Sequence, residues 1–148
     1  MKGKGEFPSL NQKLPDGIRP NGRPYKVMVV EDQEFSRKQI VQILESEGYE
    51  IVATASNGQQ AIDRMKNLTE SIDIITTDLD MPILDGYALL FELNQKPHKP
   101  LVVFISEETT KGVMQDLINM GISDYILKPL NRRTILERIK KVANKVDN

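Results

Sequence analysis

Cysteine is absent from all 148 residues, which excludes disulfides and thiolate metal centres and is compatible with a reducing compartment. No apolar run approaches the ~20 residues of a membrane-spanning helix. The opening Met1-Lys2-Gly3-Lys4-Gly5-Glu6-Phe7-Pro8 also lacks the apolar stretch of a signal peptide. A soluble, cytoplasmic protein without membrane insertion is therefore expected. Strong charge of either sign is missing too: the net charge is −1, which argues against general affinity for nucleic acid or another polyanion. Histidine occurs once, as His98 within Lys96-Pro97-His98-Lys99-Pro100, a loop-like stretch that offers it no partner. What remains is a chain with 39% hydrophobic residues, enough for one core and one domain, with little room for an attached output domain.

The charges and turn-forming residues are spread unevenly. Residues 1–24 carry Lys2, Lys4, Lys13, Arg19 and Arg23 against Glu6 and Asp16, a local charge of +3 that leaves −4 for the rest. Four of the nine glycines and four of the eight prolines lie there as well. This composition predicts an extended or loosely ordered basic arm over 1–24, ahead of a domain over 25–148.

From residue 25 the pattern alternates between short β-branched runs and segments of helical period. Strands are expected at Tyr25–Val30, Glu50–Ala55, Ile72–Thr77, Leu101–Ser106 and Asp124–Leu127. Helices are expected around Ile40, Ile43 and Leu44; Ala61, Ile62 and Met65; Tyr87, Leu89, Leu90 and Leu93; Val113, Met114, Leu117 and Ile118; and Ile135, Leu136, Ile139, Val142 and Val146. Strands joined by helices need crossover connections, so the fold class is α/β, a doubly wound parallel sheet of five strands covered by helices on both faces. The last helix carries Arg132, Arg133, Arg138, Lys140, Lys141 and Lys145, read as a solvated outer face.

In open sheets of this kind the functional site lies beyond the carboxyl ends of the strands. Glu31 and Asp32, Asp78, Ser106 and Lys128 all sit at such ends. If the first and third strands are neighbours, three carboxylates converge, and each pair at ~4 Å repels by about 4 kcal/mol at a surface-like dielectric. Such a cluster calls for a cation. Taken singly, each residue has a plainer reading: Asp32 as a helix N-cap, Ser106 as a loop serine capping the next helix, Tyr125 as a strand aromatic, Lys128 as a solvated cation.

In order along the chain, Glu31-Asp32, Asp78 with Met81-Pro82 and Asp85-Gly86, Ser106, and Tyr125 with Lys128-Pro129 resemble the receiver domain of two-component response regulators, over residues 25 to about 146. The resemblance implies a flavodoxin-like strand order 2-1-3-4-5 and a signalling protein, not an enzyme with its own substrate turnover. It implies that Asp78 accepts a phosphoryl group from a histidine kinase or phosphotransfer protein, with Mg²⁺ held by Asp32, Asp78 and the backbone carbonyl of Asp80, and by Glu31 through water. A carboxylate is a competent nucleophile for this transfer, and Mg²⁺ prefers such hard oxygen ligands. Lys128 would contact the phosphate, Ser106 would bond the phosphoryl group, and Tyr125 would move inward as Ser106 shifts. The Lys128-Pro129 bond resembles one that is cis in the family. Output would pass through the surface of the fourth helix, fifth strand and fifth helix; Met114, Leu117, Ile118 and Tyr125 are near that face, most of them read as core positions and not as partner contacts. A stand-alone monomeric regulator is expected, with chemotaxis through a flagellar motor switch protein and a phosphorelay intermediate both open.

Two departures stand out. Glu107 occupies a position, after Ser106, where the family usually has a small residue, and Glu108 and Asp80 add further acids around the pocket. We expect Glu107 to narrow access and change phosphorylation by small donors, and these acids to alter the lifetime of the acyl phosphate. Asp78-Leu79-Asp80 also looks like the opening of a haloacid-dehalogenase-type phosphatase, although Pro82 and an acidic pair that precedes the nucleophile fit that pattern less well. A third reading is a phosphorylation-independent interaction module.

Overall fold

The computed structural model describes residues 13–108 and 110–148; the first half of the expected arm, residues 1–12, lies outside them. Ten elements follow the predicted alternation. They are β1 (Lys26–Val30), α1 (Glu34–Glu45), β2 (Glu50–Ala55), α2 (Gly58–Asn67), β3 (Ile74–Thr77), α3 (Gly86–Leu93), β4 (Leu101–Ser106), α4 (Lys111–Asn119), β5 (Asp124–Leu127) and α5 (Arg132–Ala143). All neighbouring strands are parallel, in the order β2-β1-β3-β4-β5.

Two-residue alternation along the strands builds two cores, one on each face of the sheet. Val27 and Val29 of β1, Ile74 of β3, and Val103 and Ile105 of β4 pack with Ile40 and Leu44 of α1 and with Ile135, Ile139 and Val142 of α5. Met28, Val30, Ile75, Val102 and Phe104 point the other way, onto Ala61 of α2, Leu89, Leu90 and Leu93 of α3, and Leu117 of α4. Val146, expected on the last helical stripe, lies past the end of α5 yet packs on the first of these cores.

The register brings the carboxyl ends level. Val30 lies opposite Ala55 on one side and Thr77 on the other, and Ser106 lies opposite Leu127. Glu31 N–H then donates to the Ala55 carbonyl (2.9 Å), Asp78 N–H to Val30 (3.1 Å) and Lys128 N–H to Ser106 (2.9 Å). Each residue just past a strand is thereby fixed at one edge. Gly86, which opens α3, has no room for a side chain: a Cβ would lie 2.3 Å from the Asp78 carbonyl oxygen.

At the opposite end of the sheet, the described part of the expected arm lies against the domain. Gly17 N–H donates to the Glu47 carbonyl (2.7 Å), and Tyr25 N–H donates to the Gly17 carbonyl (2.8 Å). Arg19 pairs with Asp73 (3.0 Å) and Asp147 (2.9 Å), and its guanidinium lies 4.5 Å from the Tyr25 ring centroid. Asp73, expected inside the third strand, instead precedes it and accepts the Lys26 N–H at 2.8 Å. A Cβ on Gly17 would lie 2.2 Å from the Tyr49 backbone nitrogen. Gly17→Ala is accordingly expected to pry this segment off the domain and lower stability by about 2 kcal/mol, measurable by urea unfolding. An unchanged midpoint would show that the close approach is dispensable.

Candidate functional site

The β1–α1 turn delivers the first acids. Glu31 is fully buried, and its two oxygens are both engaged: Oε1 by the Lys128 ammonium (2.8 Å) and Oε2 by the Gln33 N–H (3.1 Å). Arg37 on α1 donates to the Glu31 carbonyl at 2.8 Å and so fixes the turn from below. Asp32 is exposed, and Gln33, not Asp32, takes the N-cap position of α1. The helix-cap reading of Asp32 is thereby excluded.

Asp78 stands beside them at the end of β3 and is 7% exposed. Its Oδ2 meets the Lys128 ammonium at 3.1 Å; its Oδ1 accepts from Leu79 N–H (2.7 Å) and Asp80 N–H (3.4 Å). One carboxylate oxygen from each of Glu31, Asp32 and Asp78 lies within 4.8 Å of the other two. One buried cation, Lys128, bridges two of the three acids and leaves Asp32 facing the opening. Burial acts against the ammonium of Lys128, but hydrogen bonds and attraction to Glu31 and Asp78 outweigh it, so its pKa is raised and it stays charged. Burial pushes the Glu31 carboxyl up, and the neighbouring Asp78 adds to this, against the lowering by Lys128 and the Gln33 amide.

The donor set is suited to a hard dication. Three carboxylates from two strand ends, with a single ammonium between them, leave negative charge in excess, which a dication binding through oxygen would neutralise. Asp32 and Asp78 line the cleft and could hold it directly. Glu31, fully buried and not among the cleft-lining residues, fits an outer role through water.

The other flank is formed by β4 and β5. Ser106 is 2% exposed, and its Oγ accepts from Glu108 N–H at 3.4 Å; Thr110, not Ser106, stands at the N-cap of α4. Tyr125 is turned inward, 8% exposed, with its ring stacked on Phe104 (centroids 6.0 Å apart, planes at 8°) and its hydroxyl donating to the Glu108 carbonyl at 2.8 Å. Burial raises the pKa of that hydroxyl, and contact with Ser106 moderates the rise. The Lys128-Pro129 bond is cis.

Over these groups opens a cleft of about 770 Å³ lined by Asp32, Asp78, Asp80, Ser106, Glu107, Glu108 and Lys128. Of the acids, the serine, the lysine and the tyrosine proposed from the sequence for the phosphoryl site, only Glu31 and Tyr125 are not among the lining residues. Gln33, Asp85, Tyr87 and Val113 line it as well, unforeseen as cleft residues. Asp85 had a sequence signal, since an Asp before a helix-opening Gly reads as a cap, and its Oδ1 does accept from Ala88 N–H at 2.9 Å. Tyr87 and Val113 gave none beyond helical periodicity.

Known proteins resemble this chain in sequence and in fold. Residues 27–140 match the model of the response regulator receiver domain. The chain is 39% identical to the chemotaxis protein CheY of Treponema pallidum over 142 residues, which cover 96% of this chain and 99% of that one. It is 34% identical to CheY of Bacillus subtilis, covering 81% and 98% of the two chains. Among solved structures, the CheX–CheY–BeF3–Mg complex from Borrelia burgdorferi matches with a TM-score of 0.83 at 35% identity, covering 88% of this chain and 98% of that chain. The family model, the curated relatives and the strand order agree, and the chain belongs to the response regulator receiver domain family, as a two-component signalling protein of CheY type.

Proposed function

We propose that this chain accepts a phosphoryl group on Asp78 from a phosphohistidine of a kinase or phosphotransfer protein, in a reaction that requires Mg²⁺, and signals through the α4-β5-α5 surface within a chemotaxis pathway. The observation that supports it most is the buried Lys128 ammonium shared between Asp78 and Glu31, beside the exposed Asp32. In the transfer, a carboxylate oxygen of Asp78 forms the new bond to phosphorus. The phosphorus–nitrogen bond breaks, and its electron pair leaves with the imidazole. Leu79 N–H holds the other face of the carboxylate in position. Lys128 offsets charge on the incoming phosphoryl oxygens, and the Ser106 hydroxyl bonds one of them. Asp32 and Asp78, with the Asp80 carbonyl and with Glu31 through water, would hold the Mg²⁺, which would supply charge neutralisation when bound.

A phosphoryl group bonded to Ser106 would draw in the loop after β4, and Tyr125 joins that loop to β5 through the Glu108 carbonyl. Two side chains suited to partner contact lie on this face, Ile118 on α4 at 54% exposed and Leu127 on β5 at 46%. The CheY solved with CheX, beryllofluoride and magnesium supports a CheX-like partner for the activated form. Capture of partners with and without beryllofluoride tests the pathway: a motor switch protein held mainly in the loaded state is expected for chemotaxis, and a phosphotransfer protein held equally in both states would favour a relay.

Glu107 is exposed on the cleft rim, where it meets any anionic donor. Glu107→Ala is expected to speed phosphorylation by acetyl phosphate about fivefold, the factor matching ~1 kcal/mol of solvent-screened repulsion. Stopped-flow phosphorylation at fixed Mg²⁺ measures it. Identical rates would remove Glu107 as a control on access.

A further inference from the structure

β5 is one of the two edge strands of the sheet, paired among the described residues with β4 alone. An edge strand is bonded along one side only, yet one residue of α5 fastens the free side of this one. Arg138 donates through Nε to Asp124 Oδ2 (2.6 Å) and through Nη2 to Asp124 Oδ1 (2.5 Å) and the Tyr125 carbonyl (3.2 Å). Asp124 Oδ1 also accepts the N–H of Tyr125 at 2.8 Å. Thus Arg138 departs from the solvated role expected of the basic face of this helix. Both polar groups of the Tyr125 backbone are tied to the Arg138–Asp124 pair. At its far end the same residue is tied by its hydroxyl to the Glu108 carbonyl, in the loop that rims the cleft.

We propose that Arg138 is a positioning residue for the signalling switch: by clamping the Tyr125 backbone it holds the ring inward and couples α5 to the loop after β4. This rests on the switch role of Tyr125 proposed above. A displacement of the Glu108 carbonyl pulls on the Tyr125 hydroxyl, and the clamp passes that pull to α5 instead of letting the edge strand absorb it. The planar fork of arginine is what permits three bonds to two residues; a lysine ammonium keeps the charge but not this geometry.

The test uses full-length protein labelled with 3-fluorotyrosine, observed by fluorine NMR with and without beryllofluoride and Mg²⁺. The Tyr125 signal is assigned by its loss in Tyr125→Phe. Arg138→Lys and Arg138→Met are both expected to shift the ratio of inward to displaced ring by about tenfold toward the displaced form. Beryllofluoride should still bind, and the signals of Tyr25 and Tyr49, on the other face of the sheet, should stay in place. A Tyr125 signal unchanged in both variants would overturn the clamp. Equal movement of Tyr25 and Tyr49 would overturn it too, by showing general loosening. If the wild-type Tyr125 signal ignored beryllofluoride, the switch reading would fail and the coupling with it, whereas the static clamp would still be judged by the two variants.

Discussion

Asp78→Asn is expected to abolish phosphorylation by acetyl phosphate, with a rate at least about a thousandfold below that of the intact protein. The amide oxygen of Asn can still accept the Leu79 N–H, so the turn after β3 should keep its shape. What disappears is the nucleophile and one of three crowded negative charges. The variant should therefore fold, bind Mg²⁺ more weakly, and be no less stable than the parent in chelator. Rates are read by quenching samples in time and resolving intact mass. Retained phosphorylation of the variant would move the acceptor elsewhere, and an intact protein that is never phosphorylated would favour the phosphorylation-independent reading.

Lys128→Met should have the largest effect on stability. The lysine side chain is 8% exposed and meets Glu31, 1% exposed, at 2.8 Å and Asp78, 9% exposed, at 3.1 Å. Methionine fills similar space but leaves Glu31 buried, with only the Gln33 amide for compensation. Removing one partner of a buried ion pair costs about 3–5 kcal/mol, far more than an exposed pair would. In chelator, urea unfolding of the variant should show that loss. Addition of Mg²⁺ should recover more stability than it adds to the parent, because a dication then replaces the missing positive charge and binding to the native state stabilises by mass action. Equal stability of variant and parent in chelator would mean that the cluster is solvated or protonated instead of held by Lys128.

Most of the fold was legible because two-sided burial writes itself as continuous apolar runs. Val27 to Val30 and Leu101 to Ser106 are almost wholly buried, and such stretches between helical periods leave few alternatives to a parallel sheet. The site was legible for a related reason: residues just past strand ends share one edge whatever their distance in sequence, so Glu31, Asp32, Asp78 and Lys128 could be grouped without coordinates. The features not read depend on tertiary partners. Arg19 and Asp73 are 54 positions apart and Arg19 and Asp147 128, with no periodicity to link them. Gly17 belongs by composition to a turn-rich arm, while the close backbone approach that requires it is visible only in space. Arg138 looked like one more solvated cation because its acid, Asp124, comes from a different element.

The central claim is that Asp78 is the phosphoacceptor and that Mg²⁺ is needed to charge it. The most direct measurement is site mapping: treat the intact protein with acetyl phosphate and Mg²⁺, trap the acyl phosphate by borohydride reduction, and locate the reduced residue by peptide mass spectrometry. Reduction at position 78, absent when chelator replaces Mg²⁺, is the predicted result. Reduction at another carboxylate, or labelling of Asp78 that is indifferent to chelator, would contradict it.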